Sequence, residues 1–328
     1  MIRRRELITL LGGAAAWPLA ARAQPSGRVR RIGMLISGAR NRGSEANVAA
    51  FRDGLAKLGW IEGRNLRLDL RFGGDEPERV RDSAVELVAL GPDVMVTSVS
   101  TTRAVQKQTQ TIPIVTASGG DPVASGLIHN IARPEGNITG FISAEPSIAS
   151  KRLELLKGAA PRVTRVAVIF IPELAPTAPA YISLIEAAAP SLGVAVIKAP
   201  FRTAVDVVRG IDAFAAEPNG GLLVLPPPNA VAFRQSIVQL AEQHRLPAIY
   251  PAQADATAGG LMAYATDLVD QYRRAAGYVD RILRGTKVGE LPVQFPTKFE
   301  LVINLKTAKA IGLTIPESFL LLADRVIE

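Results

Sequence analysis

Cysteine is absent from the 328-residue sequence. That excludes disulfides, a thiol nucleophile, thiolate metal sites and a lipid-anchoring cysteine together. Histidine occurs only at His129 and His244, which are not spaced as metal ligands and suit surface or helix-end positions, so no metal or cofactor is expected. Aromatic residues make up 5% of the chain. Trp17 falls in a leader-like segment, which leaves Trp60, most simply a packing staple between helix and strand. An oligosaccharide, whose sugar faces usually stack on several aromatic rings, is therefore disfavoured, although a monosaccharide is not. After the first 25 residues no apolar run approaches the ~20 residues of a membrane-spanning helix. There is no G-x-S-x-G elbow, no Walker loop, and no G-x-G-x-x-G after the first strand.

What is present is globular in composition, 48% hydrophobic and 21% charged, and long enough for two domains of ~150 residues each. The opening "MIRRRELITLLGGAAAWPLAARAQ" has a basic start, a short apolar stretch from Leu7 to Ala16, and Ala21-Arg22-Ala23 as a small-x-small cleavage site. It reads as an export signal over residues 1–23, cleaved after Ala23. Arg4-Arg5 before Glu6, Leu7 and Ile8 resembles the twin-arginine type, which hands over folded cargo. A soluble periplasmic protein is expected. Cleavage removes four Arg and one Glu, net three positive charges, so +8 becomes +5. The remaining basic residues are interspersed with acids, and no nucleic-acid partner is expected.

Short β-rich runs alternate with amphipathic stretches. "RRIGMLI" reads as a buried strand, followed by a helix from Ser44, as N-cap, to Leu58 with Gly59 as its stop. "NLRLDLRF", "DVMVTS" and "IPIVTA" continue the βαβ rhythm of a parallel sheet with helices on both faces. The rhythm then restarts. Arg31 and Arg165, Gly59 and Gly193, and Pro113 and Pro247 are matched pairs, each 134 residues apart, as a repeated supersecondary unit requires. The fold class is thus α/β, with two similar open parallel-sheet lobes facing one another. The first lobe takes residues 29–143 plus 267–288 and the second 144–266 plus 289–328, with hinge crossings near Ile142, Ala265 and Leu291.

Ligands of open parallel sheets sit at the carboxyl ends of the strands. There the sequence "MVTSVSTTRAVQ" crowds five hydroxyls into the six positions Thr97 to Thr102, just before a helix. Ser98, Ser100, Thr101 and Thr102 are candidate ligand contacts. Capping needs only one hydroxyl, whereas a helix N-terminus with spare donors suits an anion. Asp121, in "SGGDPVASG", either caps the following helix or receives a ligand amine or hydroxyl. Asn229, Asp255 and Tyr264 occupy similar strand-end loops, where each alone is commonly a cap or turn residue.

The order "RRIGMLI", "FRDGLAKLGWIEGRNL", "PDVMVTSVSTTRAV", "TIPIVTASGGDPVASGLI", "RPEGNITG" and "INLKTAKAIGLTIP" resembles the ABC transporter substrate-binding proteins of the tryptophan/tyrosine-type family, from about Arg30 to Glu328. The resemblance implies a type I periplasmic-binding fold whose lobes close about a three-strand hinge on a small ligand and present it to a membrane permease. It aligns the Ser98–Thr102 run and Asp121-Pro122 with ligand-contacting loops. Where relatives often carry a T-P-A-type sequence, this chain has Thr101-Thr102-Arg103. Arg103 either enters the cleft and favours an anion or points to solvent, so aromatic amino acid specificity does not follow. The expected function is capture of a small carboxylate-bearing, amino-acid-like ligand by a monomer, with no chemical step. The alternatives are a secreted cleft hydrolase using Asp121 and Asp255, or a ligand-sensing module for a membrane kinase.

Overall fold

The computed structural model describes residues 28–74, 76–143, 145–172, 178–226 and 231–328. The export signal and Asn229 lie outside them. Chain order begins with β1 (Arg30–Ile36), α1 (Arg42–Lys57), β2 (Leu66–Phe72), α2 (Pro77–Ala89), β3 (Val94–Ser98), α3 (Val99–Gln106), β4 (Ile114–Ser118) and β5 (Ile138–Gly140). These strands form one parallel sheet in the order β2-β1-β3-β4-β5. Two residues separate the expected and observed starts of α1. Asn41 is the N-cap, its Oδ1 accepting from Ser44 N–H at 3.0 Å, and Ser44 Oγ accepts from Asn41 N–H at 2.9 Å. Ser44 is the reciprocal partner of a capping box, not the cap itself.

The second unit runs α4 (Ile148–Ala159), β6 (Arg165–Phe170), α5 (Ala178–Ala188), β7 (Ala195–Pro200), α6 (Ala204–Ala215), β8 (Gly220–Val224), α7 (Val231–Gln243), β9 (Ala248–Tyr250), α8 (Gln253–Thr257) and β10 (Met262–Thr266). Its strands align as β7-β6-β8-β9-β10, the order of the first sheet repeated. The matched pairs found in the sequence have matched roles. Gly59 and Gly193 both take positive φ past a helix end, and Pro113 O and Pro247 O accept from Met95 N–H and Leu222 N–H, each at 2.8 Å.

The chain then crosses back. Helix α9 (Leu268–Leu283) packs on the first sheet, with Tyr272, Ala275, Ala276 and Val279 in one core with Ile32, Met34 and Phe51. Helices α1 and α9 approach so closely that a Cβ at Gly54 would lie 2.8 Å from the Ala276 methyl. The chain returns to the second sheet as β11 (Phe299–Asn304), antiparallel to β10, followed by α10 (Leu305–Ala310), α11 (Glu317–Leu320) and β12 (Arg325–Ile327) at the sheet edge. Trp60 packs against the first core and its Nε1 donates to Asp280 Oδ1 at 2.8 Å.

The third crossing lies later than the sequence placed it. Leu291 and Val293 are buried in the two cores of the first lobe, so residues 289–293 belong there and Leu291 is not a hinge residue. Gln294 marks the departure: its N–H donates to Gly140 O at 2.8 Å, and its carbonyl accepts from Ile142 N–H at 3.0 Å. The three crossings are cross-linked. Thr266 Oγ1 donates to Ser143 O at 3.0 Å, and Lys298 Nζ lies 2.7 Å from Asp267 Oδ2.

Candidate functional site

Strands β1, β3 and β4 are neighbours, and a serine stands at or just past the carboxyl end of each: Ser37, Ser98 and Ser118. Ser98 Oγ donates to Ser37 Oγ at 3.1 Å and lies 3.0 Å from Ser100 Oγ. Ser100 is exposed and Ser37 half-buried, so this short hydroxyl chain emerges at the start of α3. Ser37 was not among the residues singled out in the sequence. The signal was its place directly after the first strand.

Thr101 and Thr102 are corrected as ligand contacts: both are fully buried. Thr101 Oγ1 accepts from Ser98 N–H at 3.1 Å and sits 2.9 Å from Leu35 O. Thr102 Oγ1 donates to Ser98 O at 2.8 Å and pairs with Thr97 Oγ1 at 2.7 Å. Ser98 and Thr101 have the i, i+3 spacing of a cap. A hydroxyl enclosed with no water must be satisfied internally. The five hydroxyls thus divide: Thr97, Thr101 and Thr102 hold the strand-to-helix turn, while Ser98, also buried, links Ser37 to Ser100, which is the exposed end of the chain. Arg103 is exposed, and its Nη2 donates to Ser125 O, tying α3 to the turn at 122–126.

Asp121 follows the strand-end glycines. Its Oδ1 accepts from Val123 N–H at 2.8 Å and Ala124 N–H at 3.1 Å, so it does serve as a turn cap. Gly119 next to this loop is fixed to the first crossing: Ser143 N–H donates to Gly119 O at 2.7 Å, and Gly119 N–H donates to Ser143 Oγ at 3.1 Å. Ser143 Oγ in turn donates to the buried Gln271 Oε1 at 2.9 Å.

The second lobe presents different chemistry. Asp255 is corrected as a free ligand group. It is buried in an ion pair with Arg234 and accepts from Ala252 N–H at 3.1 Å. Burial pushes its carboxyl above the usual 3.8, against the opposing pull of Arg234. Tyr264 is half-buried and stacks on Phe299, ring centroids 5.6 Å apart. Its carbonyl accepts from Arg152 Nε at 2.9 Å. Arg152 went unnoticed in the sequence, although Ala149, Arg152, Leu156 and Ala159 share the buried face of α4. A cation at a core-facing helical position is the signal that could have found it.

Ser143 ties the two lobes together at their strand ends: its N–H donates to Gly119 O just past β4, and its carbonyl accepts from Thr266 Oγ1 at the end of β10. Tyr181, on α5, is buried in the second-lobe core, and burial raises its phenol pKa against the opposing pull of Arg152. His129 is exposed and His244 Nε2 lies 2.6 Å from Asp212 Oδ1. Among the described residues, no three His, Cys, Asp or Glu side chains gather as metal ligands, and no helix is long and apolar enough to cross a membrane.

Comparison with known proteins agrees with this architecture. A family model described as ABC transporter substrate binding protein matches residues 38–327. A tyrosine-binding protein of Clostridioides difficile (strain R20291) is 24% identical over 265 residues, 80% of this chain and 75% of that protein. A solved conserved domain protein from Vibrio cholerae is similar with a TM-score of 0.78 at 27% identity, over 91% of this chain and 100% of that one. The ABC domain in complex with L-Trp from Streptococcus pneumonia also gives 0.78, at 23% identity over 91% and 99% of the two chains. Two parallel-sheet lobes in repeated order, matched by the family model from residue 38 to residue 327, place this chain in the ABC transporter substrate-binding protein family.

Proposed function

We propose that this chain captures a small, carboxylate-bearing, amino-acid-like solute between its lobes and delivers it to an ABC permease without transforming it. The carrying observation is the Ser37–Ser98–Ser100 hydroxyl chain at the first strand ends and the start of α3. Neutral donors and a helix N-terminus stabilise a carboxylate without a buried countercharge, whose desolvation can exceed its attraction. Asp121 sits beside this seat and receives the ligand amine, its charge making the stronger hydrogen bond. Tyr264 closes the second-lobe side. The tyrosine-binding relative and the L-Trp complex support an amino-acid-like ligand.

The receptor works as a monomer in the periplasm, reached by twin-arginine export with cleavage after Ala23. Native mass spectrometry of the purified protein tests the reading: a co-purifying small carboxylic acid, recovered unchanged after incubation, is expected. Turnover of that compound would favour a cleft hydrolase instead. Replacing Arg4 and Arg5 by Lys should leave uncleaved precursor in the cytoplasm, and normal processing would point to the general secretory route.

A further inference from the structure

The second lobe holds a charge that the fold itself does not neutralise. Arg152 is 3% exposed. Its Nε donates to Tyr264 O at 2.9 Å and its Nη2 reaches Pro251 O at 3.4 Å, but Nη1 has no hydrogen-bond partner. The carboxylate acting on it, Asp255, is already ion-paired to Arg234. Two guanidiniums thus share one carboxylate, and Arg152 faces only carbonyl dipoles. Burial lowers its pKa to about 10, so it stays charged at neutral pH. A buried cation left unpaired is costly, and the cost is relieved when a ligand supplies the anion.

Its position is that of a binding group. Pro251 directly follows β9, at the strand-end edge of the second lobe, and Tyr264 lies within β10. Tyr181 packs in one buried cluster with Ala149 and Leu156, which share the buried face of α4 with Arg152. A guanidinium offers donors only, and its planar fork matches a carboxylate.

We infer that Arg152, flanked by Tyr181 and Tyr264, forms a second-lobe subsite for an acidic side chain, and that the ligand class is an acidic amino acid. This rests on the cleft function proposed for the chain: the α-carboxylate takes the Ser98 and Ser100 hydroxyls, the ammonium takes Asp121, and the side-chain carboxylate takes Arg152. Such a ligand carries one net negative charge and cancels the one that the second lobe leaves over. A neutral amino acid would fill the first two places and leave Nη1 unpaired.

Calorimetry with the purified chain distinguishes the cases, using L-glutamate, its uncharged isostere L-glutamine, and L-tyrosine. Glutamate is expected to bind about tenfold or more tightly than glutamine, as a charge-assisted bond requires. Arg152→Met should abolish that preference, Arg152→Lys should keep part of it, and Tyr181→Phe should weaken glutamate more than glutamine. Should the Arg152 variants not fold, the glutamate-to-glutamine ratio of the parent chain decides alone. Glutamine or tyrosine binding as tightly as glutamate overturns the acidic subsite. Tyrosine binding that depends on Ser98 and Ser100 but not on Arg152 overturns it while leaving the cleft function intact. Glutamate binding that depends on Arg152 and ignores both serines does the reverse, and binding of none of the three overturns the acidic class.

Discussion

The two lobes share a strand order, β2-β1-β3-β4-β5 against β7-β6-β8-β9-β10, yet differ in what they place at the strand ends. The first lobe uses small neutral hydroxyls, enclosed where they hold the turn into α3 and linked in a chain where they emerge. The second uses buried charge, the Arg234–Asp255 pair and the unpaired guanidinium of Arg152. Their acids diverge too. Burial acts to raise the Asp69 carboxyl, but hydrogen bonds and charge from Arg31 and Arg67 hold it below 3.8, whereas at Asp255 burial wins against Arg234. Helices packed on both faces of a sheet constrain strand order, while the loops at strand ends carry little of that packing and can change chemistry independently.

The largest expected effect breaks one lobe alone. A Cβ at Gly140, where φ is +137°, would fall 2.0 Å from Thr116 O, so Gly140→Ala forces β5 away from β4. We expect a loss of about 4 kcal/mol or more in denaturant unfolding. In the second lobe, Gly221→Ala meets its nearest atom, Val163 Cγ1, at 3.2 Å and should cost about 1 kcal/mol. Similar costs would mean that the two sheets tolerate crowding alike.

Next come the hydroxyls. Ser98→Ala with Ser100→Ala should weaken binding of the natural ligand by roughly 2–4 kcal/mol at nearly unchanged melting temperature. Thr101→Val should instead cost about 1–3 kcal/mol of stability by leaving buried backbone groups unpaired. Affinity loss from the threonine without loss of stability would erase the division between the hydroxyls that hold the turn and those of the Ser37–Ser98–Ser100 chain.

The acids give a smaller effect, opposite in sign between lobes. Asp69, lowered below 3.8, contributes stability that is present above 3.8 and is lost as pH falls through its depressed value. Asp69→Asn should flatten that acid limb. Asp255, raised above 3.8, binds its proton more tightly in the native state, so its linkage term falls as pH rises from 3.8 through the raised value. Asp255→Asn should remove that fall, and melting curves against pH would read both slopes. The smallest signal is in shape: if the crossings at Ser143, Asp267 and Lys298 form a hinge, ligand should reduce the radius of gyration in small-angle scattering. An unchanged profile at saturation would contradict hinge closure.

The repeat at a spacing of 134 was legible because strand starts, helix-stopping glycines and pre-strand prolines are set by backbone chemistry local to each residue. The lobe boundary near residue 288 was not. Leu291 and Val293 read as ordinary strand residues, and only three-dimensional packing assigns them to the first lobe. The hydroxyl cluster was visible, but its division was not, since the Thr101 hydroxyl is satisfied in part by Leu35 O of a distant strand. Arg152 stood on the apolar face of its helix in plain view. What sequence could not supply was that the nearby carboxylate is committed to Arg234.

The double return of the chain bears on how the protein is made. The first core needs Tyr272, Val279 and Leu283 of α9, and a core of the second lobe needs Leu301, Ile303 and Phe319. Domains often fold in sequence as they leave the ribosome, the N-terminal one first. Here neither core is complete while the ribosome still holds those segments, so each lobe waits with part of one apolar face uncovered. Both must then finish almost together, after nearly the whole chain has emerged. An export route that carries folded cargo, as proposed from Arg4 and Arg5, gives such a chain time in the cytoplasm to complete both halves before it is moved.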